Sequence, residues 1–233
     1  MWGCARLARA PRAKIRMMER FAQLARTDAP TLDLLALAIA GALRDADQDA
    51  ALAELDRLAG EVVRHGVGET GQEQVEALRV VLGRHEGFVG DVEDYDHPDN
   101  SMLDLVLERR RGLPILLSVV WIEVGRRVGI PIRGVGLPGH YVAGWFGDGQ
   151  PILLDPFKGG VPVADPPPPG RIAQTPVHLT ALRILSNLVA SYERRGDVGR
   201  SLKAAQLRLE LPLGDRDMKV MEFEHRRLGA RMN

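Results

Sequence analysis

From Pro114 to Val128 the chain is apolar on almost every side (PILLSVVWIEVGRRV), with Gly112-Leu113 in front and Gly129-Ile130-Pro131 behind. A helix that is apolar all round has no face to give to water, so it must sit at the centre of a fold. It is too short to cross a bilayer. Pro114 suits the first helical position, where no N–H is needed. Gly129 and Pro131 then stop the helix. The rest of the chain must supply the layers around it.

The first half reads as helices able to do so. Glu19–Arg26 is a short one. Pro30 and Thr31 open Leu32–Leu43, whose apolar run predicts a buried helix. Asp49–Gly66 repeats Leu52, Leu55, Leu58, Val62 and Val63 at near-helical spacing. Thr70 followed by Glu73 has the form of a capping box and starts Gln72–Gly83, with Val75, Leu78 and Leu82 on one stripe. A loop from Gly87 to Asn100 carries Asp91, Glu93, Asp94, Asp96 and Asp99. Asp99 or Asn100 is the expected N-cap of a helix over Met102–Arg110. The triplet Arg109-Arg110-Arg111 at its end reads as a solvated terminus matched to the helix dipole.

Strand signals follow. Ile132–Val135 is a short candidate, and HYVAGWFGDGQPILLDP (His140–Pro156) reads as a hairpin. With Gly147-Asp148 as a two-residue turn, Val142 faces Leu153 and His140 faces Asp155, close enough for imidazole and carboxylate to bond. A three-residue turn would shift that register by one. DPPPPG then marks a stiff Pro-rich linker over residues 164–175. Beyond it, Leu179–Arg194, Val198–Glu210 and Asp217–Leu228 read as amphipathic helices that pack on the first domain. These boundaries divide the chain into a basic, disordered 1–18, a domain over 19–163, the linker, and a helical region over 176–233.

Composition closes off several functions. Apolar residues are 45% of 233, enough for a real core. The 31 basic and 31 acidic residues balance, and aromatics are 5%, so neither nucleic acid nor a membrane surface is the expected partner. The single cysteine, Cys4, excludes an internal disulfide framework and a cysteine-rich zinc site, which suits a reducing, cytoplasmic setting. Residues 1–16 are basic without an apolar core and do not read as a secretory signal. Gly134, Gly136 and Gly139 are followed by no helix, so they make no phosphate loop, and no cofactor is expected. His97, Asp99, His140 and Asp155 are metal-ligand types but not at a metal-site spacing, so no metal is expected.

The order of a buried helix starting at Gly112-x-Pro114, then His140, then Asp155 resembles the transglutaminase-like core. There a cysteine opens the helix, whose N-terminus lowers the thiol pKa, while His takes its proton and Asp orients the ring. The cysteine position falls on Pro114. More closely the chain resembles the bacterial Sir B family, which joins a transglutaminase-like domain to tetratricopeptide-like helices. The matching residues are Tyr95 with Pro98-Asp99-Asn100-Ser101, Val106–Ile115, Leu137-Pro138-Gly139-His140-Tyr141, Asp155-Pro156-Phe157 with Gly159-Gly160, and Asn187-Leu188 with Tyr192 and Gly196-Asp197. The family generally has proline at this position. Phenylalanine is more usual at Tyr141. Its name links its members to regulation.

The expected fold is α+β: a helical N-terminal half, a papain-like helix-on-antiparallel-sheet core, and a C-terminal helical hairpin. Pro114, His140 and Asp155 are the vestigial triad positions, and Asn100, Ser101, Ser118, His140, Tyr141 and Asp155 are the ligand-binding candidates. His140 and Asp155 form either a retained dyad or a structural hydrogen bond. Ser118, one turn after Pro114, is a candidate replacement nucleophile, although such a serine usually bonds the i−4 carbonyl. The helical hairpin is either a cap or a peptide-binding groove. Three functions follow: a non-catalytic binder of a protein or peptide, a cysteine-independent hydrolase using His140–Asp155, or an interaction module working through the C-terminal helices. The oligomeric state stays open.

Overall fold

A computed structural model describes residues 10–231. In chain order it comprises α1 (Ala10–Ala25), α2 (Leu32–Leu43), α3 (Gln48–His65), α4 (Gly71–Leu78) running into a π-helical segment (Arg79–His85), β1 (Val89–Gly90), a 3-10 turn (Pro98–Ser101), α5 (Leu103–Arg109), β2 (Arg111–Gly112) and α6 (Pro114–Arg127). Then come β3 (Ile132–Leu137), β4 (His140–Trp145), β5 (Ile152–Asp155), a 3-10 turn (Pro156–Lys158), β6 (Val161–Pro162), a 3-10 turn (Pro169–Arg171), α7 (Val177–Arg194), α8 (Val198–Arg208) and α9 (Asp215–Gly229). The architecture is α+β as expected.

Helix α6 is buried from Pro114 to Gly125 and packs between the N-terminal helices and the sheet. One core joins Leu35 and Ile39 on α2 to Leu55 on α3, Leu116 and Trp121 on α6, Tyr141 on β4, and Leu185 and Leu207 on α7 and α8. Burying each such side chain contributes roughly 1.5–3 kcal/mol. The C-terminal helices therefore share the core of the N-terminal half.

Helix α1 begins at Ala10, upstream of the expected Glu19. Met18, Phe21 and Ala25, spaced by three and four, press one face on the core. The expectation for residues 1–9 lies outside the described residues. The capping box forms: Thr70 Oγ1 accepts from Glu73 N at 3.3 Å, and Glu73 Oε2 accepts from Thr70 N at 2.9 Å. Neither Asp99 nor Asn100 caps α5. Both lie in the 3-10 turn Pro98–Ser101, and α5 starts only at Leu103, so its N-cap is Met102, without a side-chain bond.

The main sheet is antiparallel in the order β3-β4-β5-β6. Its tight turn is Pro138-Gly139, which links Leu137 to the opposed His140; Gly139 has φ 68°, as a Pro-Gly turn requires. The Gly147-Asp148 turn is not formed. Trp145 pairs with Ile152, so Phe146–Pro151 is a longer loop. The outer edge of β3 is covered by the end of the Pro-rich segment: Thr175 N donates to Gly134 O at 2.7 Å, and Gly136 N donates to Thr175 Oγ1 at 3.0 Å.

Candidate binding site at the head of the central helix

Helix α6 and strand β4 are nearly equal in length, about 21 Å for 14 residues of helix and about 20 Å for 6 of strand. Near the end of α6, Gly125 packs on Ile132, which pairs with Trp145 at the far end of β4. The head of α6 is linked to His140 by contacts: Leu113 N donates to Asn100 O, Asn100 holds Tyr95 O, and the Tyr95 ring meets Phe157, which meets His140.

His140 Nε2 lies 3.0 Å from Asp155 Oδ1. Asp155 is buried and also accepts from Phe157 N at 3.1 Å, capping the 3-10 turn. Lys158 Nζ is 3.6 Å from its other oxygen. The His140 side chain keeps 31% of its exposure. With the neutral ring donating from Nε2 to the carboxylate, Nδ1 keeps its lone pair and can accept a proton or a hydrogen bond.

The site continues through aromatic contacts. The His140 ring meets Phe157 edge-on at 6.4 Å, and Phe157 meets Tyr95 at 5.9 Å. A Cβ at Gly90 would fall on the Phe157 ring, so glycine there lets β1 back the aromatic. Asn100 ties this group to α6. Its side-chain amide donates to Asp94 O at 2.8 Å and Tyr95 O at 3.4 Å, and its Oδ1 accepts from Arg109 Nη1 at 3.1 Å. Its carbonyl accepts from Leu113 N at 2.9 Å, one residue before Pro114.

The arginine triplet is not simply solvated. Arg109 donates to Asp91 Oδ2 at 2.8 Å. Burial raises the Asp91 pKa, but hydrogen bonds from Asp94 N–H, Asn100, Arg109 and Glu93 N–H outweigh that and hold it low. Arg110, in the left-handed region at φ 59°, stacks over Phe88 and bonds Glu54, Glu86 and Leu107 O. Asp91 and Arg109 were missed as parts of the site. Their signal in the sequence was the acidic loop facing a basic helix end.

The remaining candidates fall outside this cluster. Ser118 Oγ donates to Pro114 O at 2.8 Å and is fully buried, the ordinary helix bond. Ser101 is buried in its 3-10 turn. Tyr141 alternates to the opposite face from His140, enters the core, and shares a 2.7 Å bond with Thr180 Oγ1 of α7. Burial raises its pKa, against the pull of Thr180, Thr175 and Arg183. Among the described residues no three His, Cys, Asp or Glu side chains gather as a metal site, and no helix is long and apolar enough to cross a membrane.

A buried helix heading a sheet strand that carries His, beside a strand ending in Asp, defines a transglutaminase-like domain. The chain belongs to the transglutaminase-like superfamily, whose sequence profile matches residues 49–166. It is similar to a UPF0162 protein of Xylella fastidiosa (strain 9a5c), 35% identical over 179 residues, covering 66% of this chain and 63% of that protein. The chain thus spans less than two thirds of the length of this relative. F-box only protein 21 of Homo sapiens is 33% identical over 87 residues, 37% of this chain and 14% of that protein. The fold is shared with menin, in the crystal structure that reveals its binding site for the Mixed Lineage Leukemia (MLL) protein. The TM-score is 0.56 at 14% identity, covering 94% of this chain and 61% of that one.

Proposed function

We propose that this chain is a non-catalytic transglutaminase-like protein of the Sir B type that binds a protein or peptide partner in the cleft beside His140, in a regulatory role in the cytoplasm. The observation that carries the reading is the His140–Asp155 bond, linked through Phe157, Tyr95 and Asn100 to Leu113, the residue before Pro114. We read Pro114 as standing where the nucleophilic cysteine would be. The acid–base half of a thiol site is present, while the helix head offers no thiol, hydroxyl or amine. Menin, which shares the fold, has a binding site for another protein, and this supports a binding role.

Pro114→Cys tests the geometry. Labelling by a thiol probe at neutral pH, lost on adding His140→Ala, supports a retained thiol site; a folded variant that never labels sinks it. For binding, His140→Ala should lose partner capture from a lysate while remaining folded, with melting lowered by no more than about 4 °C. A second reading, a cysteine-independent hydrolase, is favoured by the partly exposed His140 imidazole bonded to Asp155, an arrangement that can serve as a general base toward water. Hydrolysis by the wild type that His140→Ala abolishes would establish it. A third, an interaction module working through the tetratricopeptide-like C-terminal helices, is favoured by Val220 and Phe223, exposed on α9.

A further inference from the structure

We infer that the occupant of this cleft is a basic peptide segment with one apolar anchor, docked on the turn of residues 91–97 beside Phe157 and His140. This rests on the reading of the cleft as a binding site and adds the chemistry of the partner.

The apolar part is plain in the exposures. Val92 is 72% exposed and Tyr95 is 47% exposed, and both stand on a turn fixed from beneath. Asp91 Oδ1 accepts from Glu93 N and Asp94 N, both at 3.2 Å, and the Asn100 amide holds Asp94 O and Tyr95 O. A turn anchored this way presents its apolar side chains in a fixed place, which lowers the ordering cost of binding. Tyr95 leads directly to the partly buried Phe157 and then to His140. The patch is a short path of rings ending at the partly exposed imidazole of His140.

Charge decides what flanks that anchor. The turn and the 3-10 segment after it carry Asp91, Glu93, Asp94, Asp96 and Asp99. Asp91 is answered by Arg109, Asp94 by Arg195 at 2.6 Å and Asp96 by Arg194 at 2.6 Å; Asp99 faces only His97 at 3.5 Å. Glu93 has no ion-pair partner among the described residues. Arg109, Arg194 and Arg195 are therefore spent on the turn itself, and Lys158 sits on Asp155 at the other side of the rings. On the turn itself, Glu93 is the carboxylate left without an ion-pair partner among the described residues, and Asp99 follows in the 3-10 segment. Lysine or arginine beside the anchor complements them, whereas an acidic segment meets like charge.

The test uses the full chain and two synthetic probes, acetyl-Gly-Lys-Phe-Lys-Gly-amide and its Glu-for-Lys counterpart, followed by amide NMR shifts. The Lys peptide is expected to move the resonances of Val92, Tyr95 and Phe157 and to bind about fivefold tighter than the Glu peptide at low salt. Glu93→Lys, a change on the solvent side of the turn, should remove that preference and leave the melting temperature unchanged. Equal or tighter binding of the Glu peptide, shifts confined to another surface, or no shift at millimolar peptide overturns the inference. If His140-dependent capture of a protein partner persists in that case, the binding site stands and only its basic chemistry falls.

Discussion

His140 and Asp155 bond at 3.0 Å although they are not cross-strand partners. Ala143 pairs with Leu154 and Gly144 with Leu153, so β5 sits two residues away from the register of a tight Gly147-Asp148 turn. Side chains on a strand alternate with period two. A slip of one residue would have turned Asp155 to the other face, but a slip of two returns it to the face of His140 as a diagonal neighbour. The bond is robust to the error that the turn introduced.

Asp155 is expected to matter more to stability than His140. Asp155→Ala strands Phe157 N–H as well as the imidazole, and should cost roughly 1–3 kcal/mol in urea denaturation. His140→Ala leaves the carboxylate with Phe157 N–H and Lys158, and should cost no more than about 1 kcal/mol. Equal costs would mean that the imidazole is a structural strut and would weaken the case for a binding role.

Gly134 and Tyr141 make a second pair. A Cβ at Gly134 would fall on the Tyr141 hydroxyl, which bonds Thr180 and so fastens the sheet to α7. Gly134→Ala should destabilise by roughly 1–3 kcal/mol. Tyr141→Phe alone should cost about 1 kcal/mol, since Thr180 keeps its bond to Pro176 O. Combining the two should recover part of the Gly134→Ala loss, because the phenyl ring lacks the clashing oxygen. Strict additivity in the double-mutant cycle would refute the steric account.

What was legible in the sequence follows the period of its signals. Leu32–Leu43 and Pro114–Arg127 were readable to within a residue because apolar runs with proline or glycine at their ends leave few alternatives. The hairpin turn was not. Gly147-Asp148 carries a strong local signal, but Trp145 lies over Gly147, and the loop takes its shape from that packing. Pro138-Gly139 carries a turn signal too, but it stands between Ile132–Val135 and His140 without the long flanking runs that made the Gly147-Asp148 signal stand out. The roles of Asn100, Asp91 and Arg109 depend on contacts between segments far apart along the chain, which no local pattern encodes.

Asn100 should be as sensitive to substitution as Asp155. It is fully buried, and its side chain satisfies two carbonyls and one guanidinium. Asn100→Ala takes the side-chain donor from Tyr95 O, while Asp94 O keeps His97 N–H at 2.9 Å and Arg109 keeps Asp91, and should cost roughly 1–3 kcal/mol. The loss should be local: proteolysis is expected to speed up within the turn of residues 91–97, while α7 and α8 keep their amide protection. Uniform loss of protection would show that Asn100 supports the global fold rather than the turn.

The pH dependence of stability should carry the mark of Glu123 on α6 and Asp33 in the first turn of α2, which share Arg126 and Arg127. Glu123 Oε1 accepts from Leu32 N at 3.0 Å and so caps α2 from another helix, while its Oε2 takes Arg126 at 2.7 Å and Arg127 at 3.1 Å. Burial raises the Glu123 pKa above 4.5, Asp33 adds to the rise, and Arg126 and Arg127 oppose it without overcoming it. A raised value means that the folded state holds the proton more tightly than the unfolded chain. That contribution is complete below the unfolded value and is lost as pH rises through the folded one. Asp33 has the opposite sign. Burial raises its pKa, but Thr31, Arg127 and Leu34 N–H bring it below 3.8, so its contribution is present above that value and lost in acid. Glutamine at position 123 cannot titrate, and any fixed cost of its amide facing the two arginines does not vary with pH. The unfolding free energy of the wild type minus that of Glu123→Gln should therefore fall as pH is raised from about 4 to about 8. For Asp33→Asn the same difference should fall as pH is lowered from about 5 to about 2. Urea midpoints at matched ionic strength read both slopes. A rising difference for Glu123→Gln would mean that the arginines, not burial, set the charge of this carboxyl.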